Sequence, residues 1–161
     1  MERYQQVIQN FYASLNKRDY QAMAASYSPD AIFYDPVFED LNADEVKAMW
    51  EMLCKRAKDL RVTVNNIEGG DEEEGGQYAS CTWVAEYTFT GTGRKVINVV
   101  KGNFRFKDGL IIEHMDDFDL YKWCKQAFGF KGVLLGWSGF MQTPIRKQAK
   151  KNLRRFMEKP E

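Results

Sequence analysis

Several residue types that carry chemistry are scarce in this chain. It has a single histidine, His114, and three cysteines, and its formal net charge is zero. One histidine with scattered carboxylates is not a usual ligand set for zinc or for an iron facial triad, so we predict no metal and no cofactor. Cys54, Cys81 and Cys124 are far apart and lack metal-ligand spacing, and we interpret them as reduced packing residues.

Long apolar segments and two common catalytic motifs are also missing. No run of about 18 apolar residues occurs, and residues 1–6 have no signal-peptide core, so we expect a soluble, cytoplasmic protein. Gly91-Thr92-Gly93 lacks the lysine and the helix of a phosphate loop, and there is no Gly-Xaa-Ser-Xaa-Gly motif. The hydrophobic fraction of 44% and the length of 161 residues fit one folded domain.

Apolar spacing predicts helices first and strands afterwards. Spacings of three and four predict three helices, at residues 4–15, 20–27 and 42–57, the last capped by Asn42. A short strand or bulge is predicted at residues 31–34. Period-two alternation then predicts four strands in hairpin order, at residues 60–68, 77–89, 94–106 and 110–116. Helices followed by an antiparallel meander predict an α+β domain, in which a curved sheet wraps around helices and leaves a pocket.

The strongest candidate site lies on the last predicted strand. His114 and Asp116 are two residues apart, so they share a strand face with Leu110 and Ile112. Polar groups held against a core are costly unless they are paired or serve chemistry. We predict that Asp116 is a catalytic acid/base and that His114 tunes it. The alternative is a satisfied buried pair that anchors the sheet.

Further candidates surround this pair. Asp35 is a second predicted acid/base, or a hydrogen-bond donor if it is protonated; alternatively it stabilises the turn before Pro36. Asp117 and Asp119 are predicted to cap the following helix. Four aromatic residues are predicted to line a substrate slot, with a role as core residues as the alternative: Tyr34, Trp50, Trp83 and Tyr87.

The element order, the Phe33-Tyr34-Asp35-Pro36 step and the ending Gly109 to Leu120 resemble the nuclear transport factor 2-like superfamily. Within this superfamily, the sequence most resembles an uncharacterised SnoaL-like bacterial subfamily with a basic C-terminal extension. The superfamily includes ketosteroid isomerases, polyketide cyclases, limonene epoxide hydrolases and non-enzymatic proteins. The resemblance implies a cone-shaped α+β fold, with N-terminal helices packed in a curved antiparallel sheet, over residues 1–127. Residues 128–161 would form the extension, packed on the same domain or on a dimer partner.

The resemblance also suggests functional residues. Asp116 resembles the acid/base carboxylate of the epoxide hydrolases. The hydrolases' Arg and second Asp correspond to Trp83 and Ala85 here, and the Tyr and Asn that hold their water correspond to Phe33 and Asp35. Three of these four substitutions remove charge or hydrogen bonding, which argues against epoxide hydrolysis.

The polyketide cyclases need only an acid/base Asp in a mostly apolar pocket. The resemblance therefore implies a cofactor-independent isomerase, cyclase or hydrolase-like enzyme acting on a small apolar carbonyl compound. The alternative is a non-catalytic protein that uses the same cone to bind a small ligand or to assemble as a dimer.

The C-terminal segment differs from the body in charge. Residues 141–161 carry seven Lys or Arg residues against two Glu residues, a net charge of +5, so the body carries −5. An apolar glycine-rich segment, residues 129–141, precedes a helix that Pro144 is predicted to open. We favour docking of its apolar stripe on the outer face of the sheet or on a second copy in a homodimer. An interfacial helix on anionic lipid, with Trp137 and Phe140 inserted, is a second interpretation. Nucleic-acid contact is disfavoured because the body is acidic.

Overall fold

A six-stranded sheet curls around the N-terminal helices of the protein. The computed structural model describes residues 2–159, and the side chains of all of these except Asp71 and Glu72. Within this range there are six helices: α1 (Arg3–Asn16), α2 (Tyr20–Ala25), α3 (Ala43–Arg56), α4 (Leu120–Phe128), α5 (Phe130–Leu135) and α6 (Gly139–Glu158). The same range contains six strands: β1 (Tyr27–Tyr34), β2 (Leu41–Asn42), β3 (Arg61–Glu73), β4 (Gly76–Phe89), β5 (Arg94–Lys107) and β6 (Leu110–Asp117). The predicted α+β fold is confirmed.

The strand order across the sheet is β2-β1-β6-β5-β4-β3. The four long strands form the predicted antiparallel meander, whereas β1 joins the sheet by parallel pairing with β6. Between β5 and β6, Asp108 and Gly109 both have positive φ, at 53° and 78°, as the predicted tight Asp-Gly turn requires.

The start of β1 differs from the prediction. The second helix ends at Ala25, and the chain is already extended at Tyr27. The reason is long-range: the backbone N–H of Ile111 in β6 donates to the carbonyl of Ser26 at 2.8 Å, so sheet pairing overrides the helical spacing. Pro29 is tolerated within β1 because the register with β6 shifts between Tyr27 and Ile32.

Helices α1 and α3 pack into the concave face of the sheet. The inward side chains of α1, Ile8, Phe11 and Leu15, are almost inaccessible to solvent. Helix α3 begins with the predicted cap, because the Asn42 side chain accepts from the backbone N–H of Glu45 at 2.9 Å. The Glu45 carboxylate accepts in return from the N–H of Asn42 at 3.0 Å, which completes a capping box.

The segment after the sheet folds back onto the domain. Asp119 caps α4, since its carboxylate accepts from the N–H of Lys122 at 3.0 Å, as predicted. Asp117 is not a cap, because it lies within β6 opposite Lys101. Helix α6 begins at Gly139, one turn earlier than the proline that was predicted to open it.

Helix α6 docks on α3 and on residues 35–40 of the same chain, not on the outer face of the sheet. Leu153 and Phe156 are its buried residues. Arg146 Nε donates to the carbonyl of Pro36 at 2.8 Å, and Lys150 forms an ion pair with Glu39. No helix within residues 2–159 is long and apolar enough to cross a membrane.

Candidate functional site

His114 and Asp116 lie on the inner face of the sheet, as their spacing predicts. Across the β5–β6 ladder His114 is opposite Phe104 and Asp116 is opposite Gly102. A β-carbon at Gly102 would lie 3.1 Å from Phe104 and 3.2 Å from Cys81 and Tyr12, so these side chains pack closely around the position opposite the carboxylate. His114 is 0% exposed and Asp116 is 4% exposed, so the pair sits in the core and not at an open surface.

The pair is part of a hydrogen-bonded chain through the core. His114 Nε2 is 3.0 Å from Asp116 Oδ1, and Trp83 Nε1 donates to the same oxygen at 3.2 Å. On the other side of the imidazole, His114 Nδ1 is 2.7 Å from the Tyr27 hydroxyl. That hydroxyl accepts from Trp50 Nε1 at 2.9 Å. Five side chains from four elements of the fold, α3, β1, β4 and β6, therefore converge on one polar network.

The donors and acceptors of this network fix its protons. An indole N–H can only donate, so the Tyr27 oxygen accepts from Trp50 and its own proton is available to His114 Nδ1. With the Tyr27 proton directed at Nδ1, the ring carries its proton on Nε2, which lies 3.0 Å from Asp116 Oδ1. Burial raises the pKa of Tyr27 well above its usual value, against a lowering by the Trp50 hydrogen bond. Tyr27 thus keeps the proton that it donates to the ring.

Four aromatic side chains pack around the imidazole of His114. The Phe104 ring stacks on it with centroids 4.3 Å apart, and the Trp50 ring is also stacked, at 6.3 Å. Phe33 and Phe11 present their edges at 5.1 and 5.7 Å. This enclosure explains why His114 is inaccessible, and it makes the ring a group that acts on its neighbours and not on a ligand.

The parallel pairing of β1 with β6 places a second carboxylate beside Asp116. Phe33 is opposite His114 in this ladder, and both point inward. Asp35 follows directly after the end of β1, two residues beyond Phe33, and Asp116 lies two residues beyond His114, so the charge of Asp116 acts on Asp35. Asp35 is also buried.

The environment of Asp35 makes it titrate near neutral pH. Its Oδ1 accepts from the backbone N–H groups of Val37 and Phe38 at 2.8 and 2.6 Å, so the predicted turn-stabilising role is present. Burial nonetheless raises the pKa of Asp35 to about 6, against the lowering by these two N–H groups. The negative charge of Asp116 raises the pKa further.

Tyr12 adds an unsatisfied hydroxyl to the same region. Among the described side chains its buried oxygen is one of two buried polar atoms without a hydrogen-bond partner. A β-carbon added to Gly102 would lie 3.2 Å from this oxygen and 3.2 Å from Cys81 Sγ, which places the hydroxyl close to the strand position opposite Asp116. Burial raises the pKa of Tyr12, and the charge of Asp116 raises it further. Tyr12 therefore keeps its proton, and the weak acceptor beside it is the Cys81 sulfur.

Two of the four predicted slot aromatics join the network and two do not. Trp50 and Trp83 are buried and donate to it directly. Tyr34 follows the inward Phe33 and lies on the outer face, 38% exposed, so it cannot line an internal slot. Tyr87 shares the inner face of β4 but is four residues beyond Trp83, about 13 Å along the strand. There its hydroxyl accepts from Trp123 Nε1 at 2.7 Å.

Two surface hollows of the described structure lie away from the network. A hollow of about 400 Å³ lies between Asp59, Tyr87 and Lys95, and another of about 310 Å³ lies beside Gly69 and Tyr78. Neither is lined by the two inner carboxylates or by the imidazole. Within the described residues no three His, Cys, Asp or Glu side chains converge as metal ligands would.

The sequence patterns did not single out Tyr12 and Tyr27. Both belong to apolar stripes at helical spacing, and Tyr27 was predicted to lie in the second helix. The available signal was the hydroxyl itself, because a tyrosine oxygen carried into a core needs a partner there. Only the β1–β6 pairing shows that this partner is His114, 87 residues away.

A family model supports the similarity suggested by the sequence. The model for the SnoaL-like domain matches residues 8–114, a stretch that ends two residues before Asp116. No curated protein sequence is significantly similar to the chain.

Solved structures with the same fold share little sequence with the chain. A nuclear transport factor 2-like protein of unknown function from Burkholderia pseudomallei is 18% identical, with a TM-score of 0.66 over 79% of this chain and 98% of that one. IdmH from Streptomyces antibioticus, provisionally assigned as a polyketide cyclase, is 22% identical, with a TM-score of 0.61 over 76% and 96%. A protein with a ketosteroid isomerase-like fold from Catenulispora acidiphila, solved with trimethylamine, is 10% identical, with a TM-score of 0.63 over 76% and 92%. These likenesses establish the cone-shaped fold.

Proposed function

Because the chain belongs to the SnoaL-like domain family, we propose that it is a cofactor-independent acid/base enzyme acting on a small apolar carbonyl compound. One observation carries the proposal. Two carboxylates, Asp35 and Asp116, are both buried, and they are near enough that the charge of Asp116 adds to the effect of burial, which raises the pKa of Asp35 to about 6. An acid that keeps its proton near neutral pH, paired with a second carboxylate, suits the two halves of a proton transfer.

The proposed reaction uses the ionised Asp116 as the base. Asp116 removes a proton from the carbon next to the carbonyl group. The electron pair of that C–H bond becomes the new carbon–carbon double bond, and the π pair of the carbonyl moves onto its oxygen to give an enolate. Asp35, protonated near neutral pH, donates a hydrogen bond or its proton to that oxygen. Return of the proton to another carbon completes an isomerisation, whereas attack of the enol carbon on a second carbonyl in the same molecule closes a ring.

The remaining groups support these two acids. The Tyr12 hydroxyl, a buried donor beside the weak acceptor Cys81 Sγ, would stabilise the enolate oxygen once a substrate is bound. His114 is revised from a catalytic group to a positioning residue, since its ring is sealed by aromatic side chains. Its Nε2 and the Trp83 indole hold one oxygen of Asp116, which leaves the other oxygen for the substrate.

Substrate entry requires the interior to open. Trp50 of α3 covers the imidazole, and α3 itself is held by α6. In the proposed opening, a displacement of α3 by a side-chain width breaks the Trp50–Tyr27 hydrogen bond and uncovers the carboxylates, while His114, Asp116 and Trp83 stay in place. Trp50 is thus the residue that we propose to move, and together with Trp83 it would contact the substrate.

Deuterium incorporation in D2O tests the reaction. Apolar cyclic ketones and 1,3-diketones serve as probes, and exchange of the protons next to the carbonyl group is followed by NMR. We expect Asp116→Asn to reduce exchange about a thousandfold, within the range of general acid–base catalysis. Asp117→Asn is the matched control, because Asp117 is the next residue of β6 and lies on the opposite face. Equal rates for the Asp116→Asn variant and the unmodified protein would exclude the mechanism.

The pH profile provides a second readout. If protonated Asp35 is the acid, the exchange rate falls as pH rises through about 6, and Asp35→Asn removes this fall. A rate that rises through the same range would assign the Asp35 carboxylate as the base instead.

A non-catalytic role in ligand binding or dimer assembly is the second candidate, and a specific observation favours it. Trp50, Trp83 and Phe104 are all buried and fill the interior around His114. If this filled state persists, the network is a structural anchor. The binding alternative is supported if ketones raise the melting temperature equally in the unmodified protein and in Asp116→Asn without any exchange. The assembly alternative is supported if a stable homodimer forms and no ketone has either effect.

A further inference from the structure

The segment between α4 and α6 exposes an unusual amount of apolar surface. Phe130, Trp137 and Phe140 are 77, 68 and 80% exposed. Between them lie three exposed aliphatic residues, Val133, Leu134 and Leu135. We call these six residues the 130–140 surface. Single exposed apolar side chains are common on proteins, but six large ones within eleven residues form a patch that indicates a binding site.

Glycines determine which side of α5 faces outward. A β-carbon on Gly132 would lie 2.0 Å from the carbonyl oxygen of Cys124 in α4, and one on Gly136 would lie 2.7 Å from Cys124 Cβ. Because the glycine side of α5 packs this closely on α4, the side that carries the large residues is turned to solvent. The Tyr121 hydroxyl donates to the carbonyl of Val133 at 2.9 Å and helps to hold this arrangement.

The exposed side of α6 continues this surface with positive charge. At 100° per residue, Lys147 and Lys151 lie within about 20° of Phe140 around the helix axis, and Arg154 and Arg155 lie within about 60°. All four are exposed, and Glu158 is the acidic residue at the far end of the row. Leu153 and Phe156 are buried on the opposite side, so docking of α6 leaves the row of cations facing outward.

We infer that the 130–140 surface and the cationic row of α6 together bind the surface of an anionic lipid bilayer. Aromatic and aliphatic side chains would enter the boundary between headgroups and acyl chains, while the four cations contact acidic headgroups. Trp137 suits this boundary because its ring is exposed while its Nε1 donates to the carbonyl of Leu134 at 3.0 Å. The contact needs no unfolding, since the side chains of the 130–140 surface and of the cationic row of α6 are already exposed.

Charge favours lipid over a second copy of this chain. A two-fold dimer through the 130–140 surface would bring two rows of cations together, and like charges in contact disfavour such an interface. An anionic bilayer complements both the apolar and the cationic parts of the surface. Its attraction would also be weakened by salt, which the test uses.

Vesicle flotation with the full-length chain tests the inference. Vesicles of phosphatidylcholine, alone or with about 30% phosphatidylserine, are compared at about 0.05 and about 0.5 M NaCl. We expect binding to the anionic vesicles that decreases with salt. Phe130→Ser with Phe140→Ser should weaken it at least about tenfold. The matched control, Ile32→Ser with Tyr78→Ser, removes side chains that are 56 and 50% exposed on the outer face of the sheet and should leave binding unchanged.

The charge arm uses a second pair of variants. Lys147→Glu with Lys151→Glu should weaken binding to anionic vesicles by about 25-fold or more, since each cation near the surface contributes about fivefold. Lys101→Glu with Lys107→Glu makes the same change on the body and should have a much smaller effect.

Three results would overturn the inference. The first is absence of binding to either vesicle. The second is equal binding to both vesicles with no effect of the α6 variants. The third is a change of oligomeric state without any vesicle binding. If light scattering shows that Phe130→Ser with Phe140→Ser converts a dimer to a monomer, the 130–140 surface is an interface with a second copy of the chain.

Discussion

The interior network and the 130–140 surface place polar and apolar groups in opposite ways. At the centre of the cone, Asp35, His114 and Asp116 are polar residues buried in an apolar core. On the surface, Phe130 and Phe140 are apolar residues left in water. Both arrangements cost free energy relative to the usual distribution of residues.

The two regions differ in how that cost is offset. In the network, Tyr27, Trp50 and Trp83 supply hydrogen bonds from within the chain, so the buried groups are stabilised without any ligand. The large side chains of the 130–140 surface have no such internal partner, because α5 packs through its glycines. The buried polar groups are therefore stabilised by the fold itself, whereas the exposed apolar side chains would be stabilised only by a partner outside the chain.

Replacing His114 should cause the largest loss in the free energy of unfolding. His114→Ala removes a ring packed between Phe104 and Trp50 and leaves Asp116 with one hydrogen-bond donor fewer in the core. We expect the free energy of unfolding to fall by about 4 kcal/mol in urea titrations. Phe140→Ala, a larger truncation on the surface, should change it by less than about 0.5 kcal/mol. Similar losses for the two variants would contradict the distinction between the regions.

Asp35 should show its burial through pH. The unfolded chain releases this proton near pH 3.8 and the folded chain near pH 6, so the folded state holds more protons between these values. Stability from this group therefore falls as pH rises through that window, by about 3 kcal/mol in total. Asp35→Asn removes the loss, and it should stabilise the protein by about 3 kcal/mol at pH 8 and by little at pH 3. Equal changes at the two pH values would contradict the raised pKa.

Gly132→Ala tests the close packing of α5 on α4 that leaves the 130–140 surface exposed. The new methyl group would meet backbone atoms of α4, so α5 must shift, and we expect a loss of about 2 kcal/mol in thermal or urea unfolding. Gly139→Ala is the control, because a β-carbon there meets only Thr143 Oγ1 at 3.7 Å. It should be neutral within about 0.5 kcal/mol. An equal loss at both glycines would mean that close packing of α5 on α4 is not the cause.

The smallest effect is expected at the ion pair between α6 and residues 35–40. The side chains of Lys150 and Glu39 are each 41% exposed, so Lys150→Met should cost less than about 1 kcal/mol and less still at high salt. Lys147→Met, on the outward side of α6, is the comparison. A loss above about 2 kcal/mol at Lys150 alone would show that the docked position of α6 depends on this pair.

Local patterns were sufficient to predict the class of fold and one face of the site. Alternation along β6 correctly placed His114 and Asp116 on the same inward face, and the Asn42 and Asp119 caps follow from side-chain chemistry next to each helix. These features depend on residues within a few positions of each other. They can be read without knowing which strands pair.

The rest of the site depends on contacts between distant segments. The sequence of β1 contains Pro29 and does not alternate cleanly, so neither its length nor its parallel pairing with β6 was predictable. That pairing brings Tyr27 to His114 and Asp35 to Asp116. Whether Trp50 and Trp83 leave a cavity or fill it depends on side-chain volumes summed over several elements, which periodicity does not report.

The parallel pairing of β1 and β6 also has a consequence for biosynthesis. A nascent chain on the ribosome can form α1, α2 and α3 early. Strand β1 cannot pair with β6 until β6 has emerged, because Tyr27 and His114 are 87 residues apart. Closing so long a loop is slow, and it comes after the local hairpins of the meander have formed. The two carboxylates therefore meet only after β6 has emerged from the ribosome, and any product truncated before Asp116 has an incomplete centre.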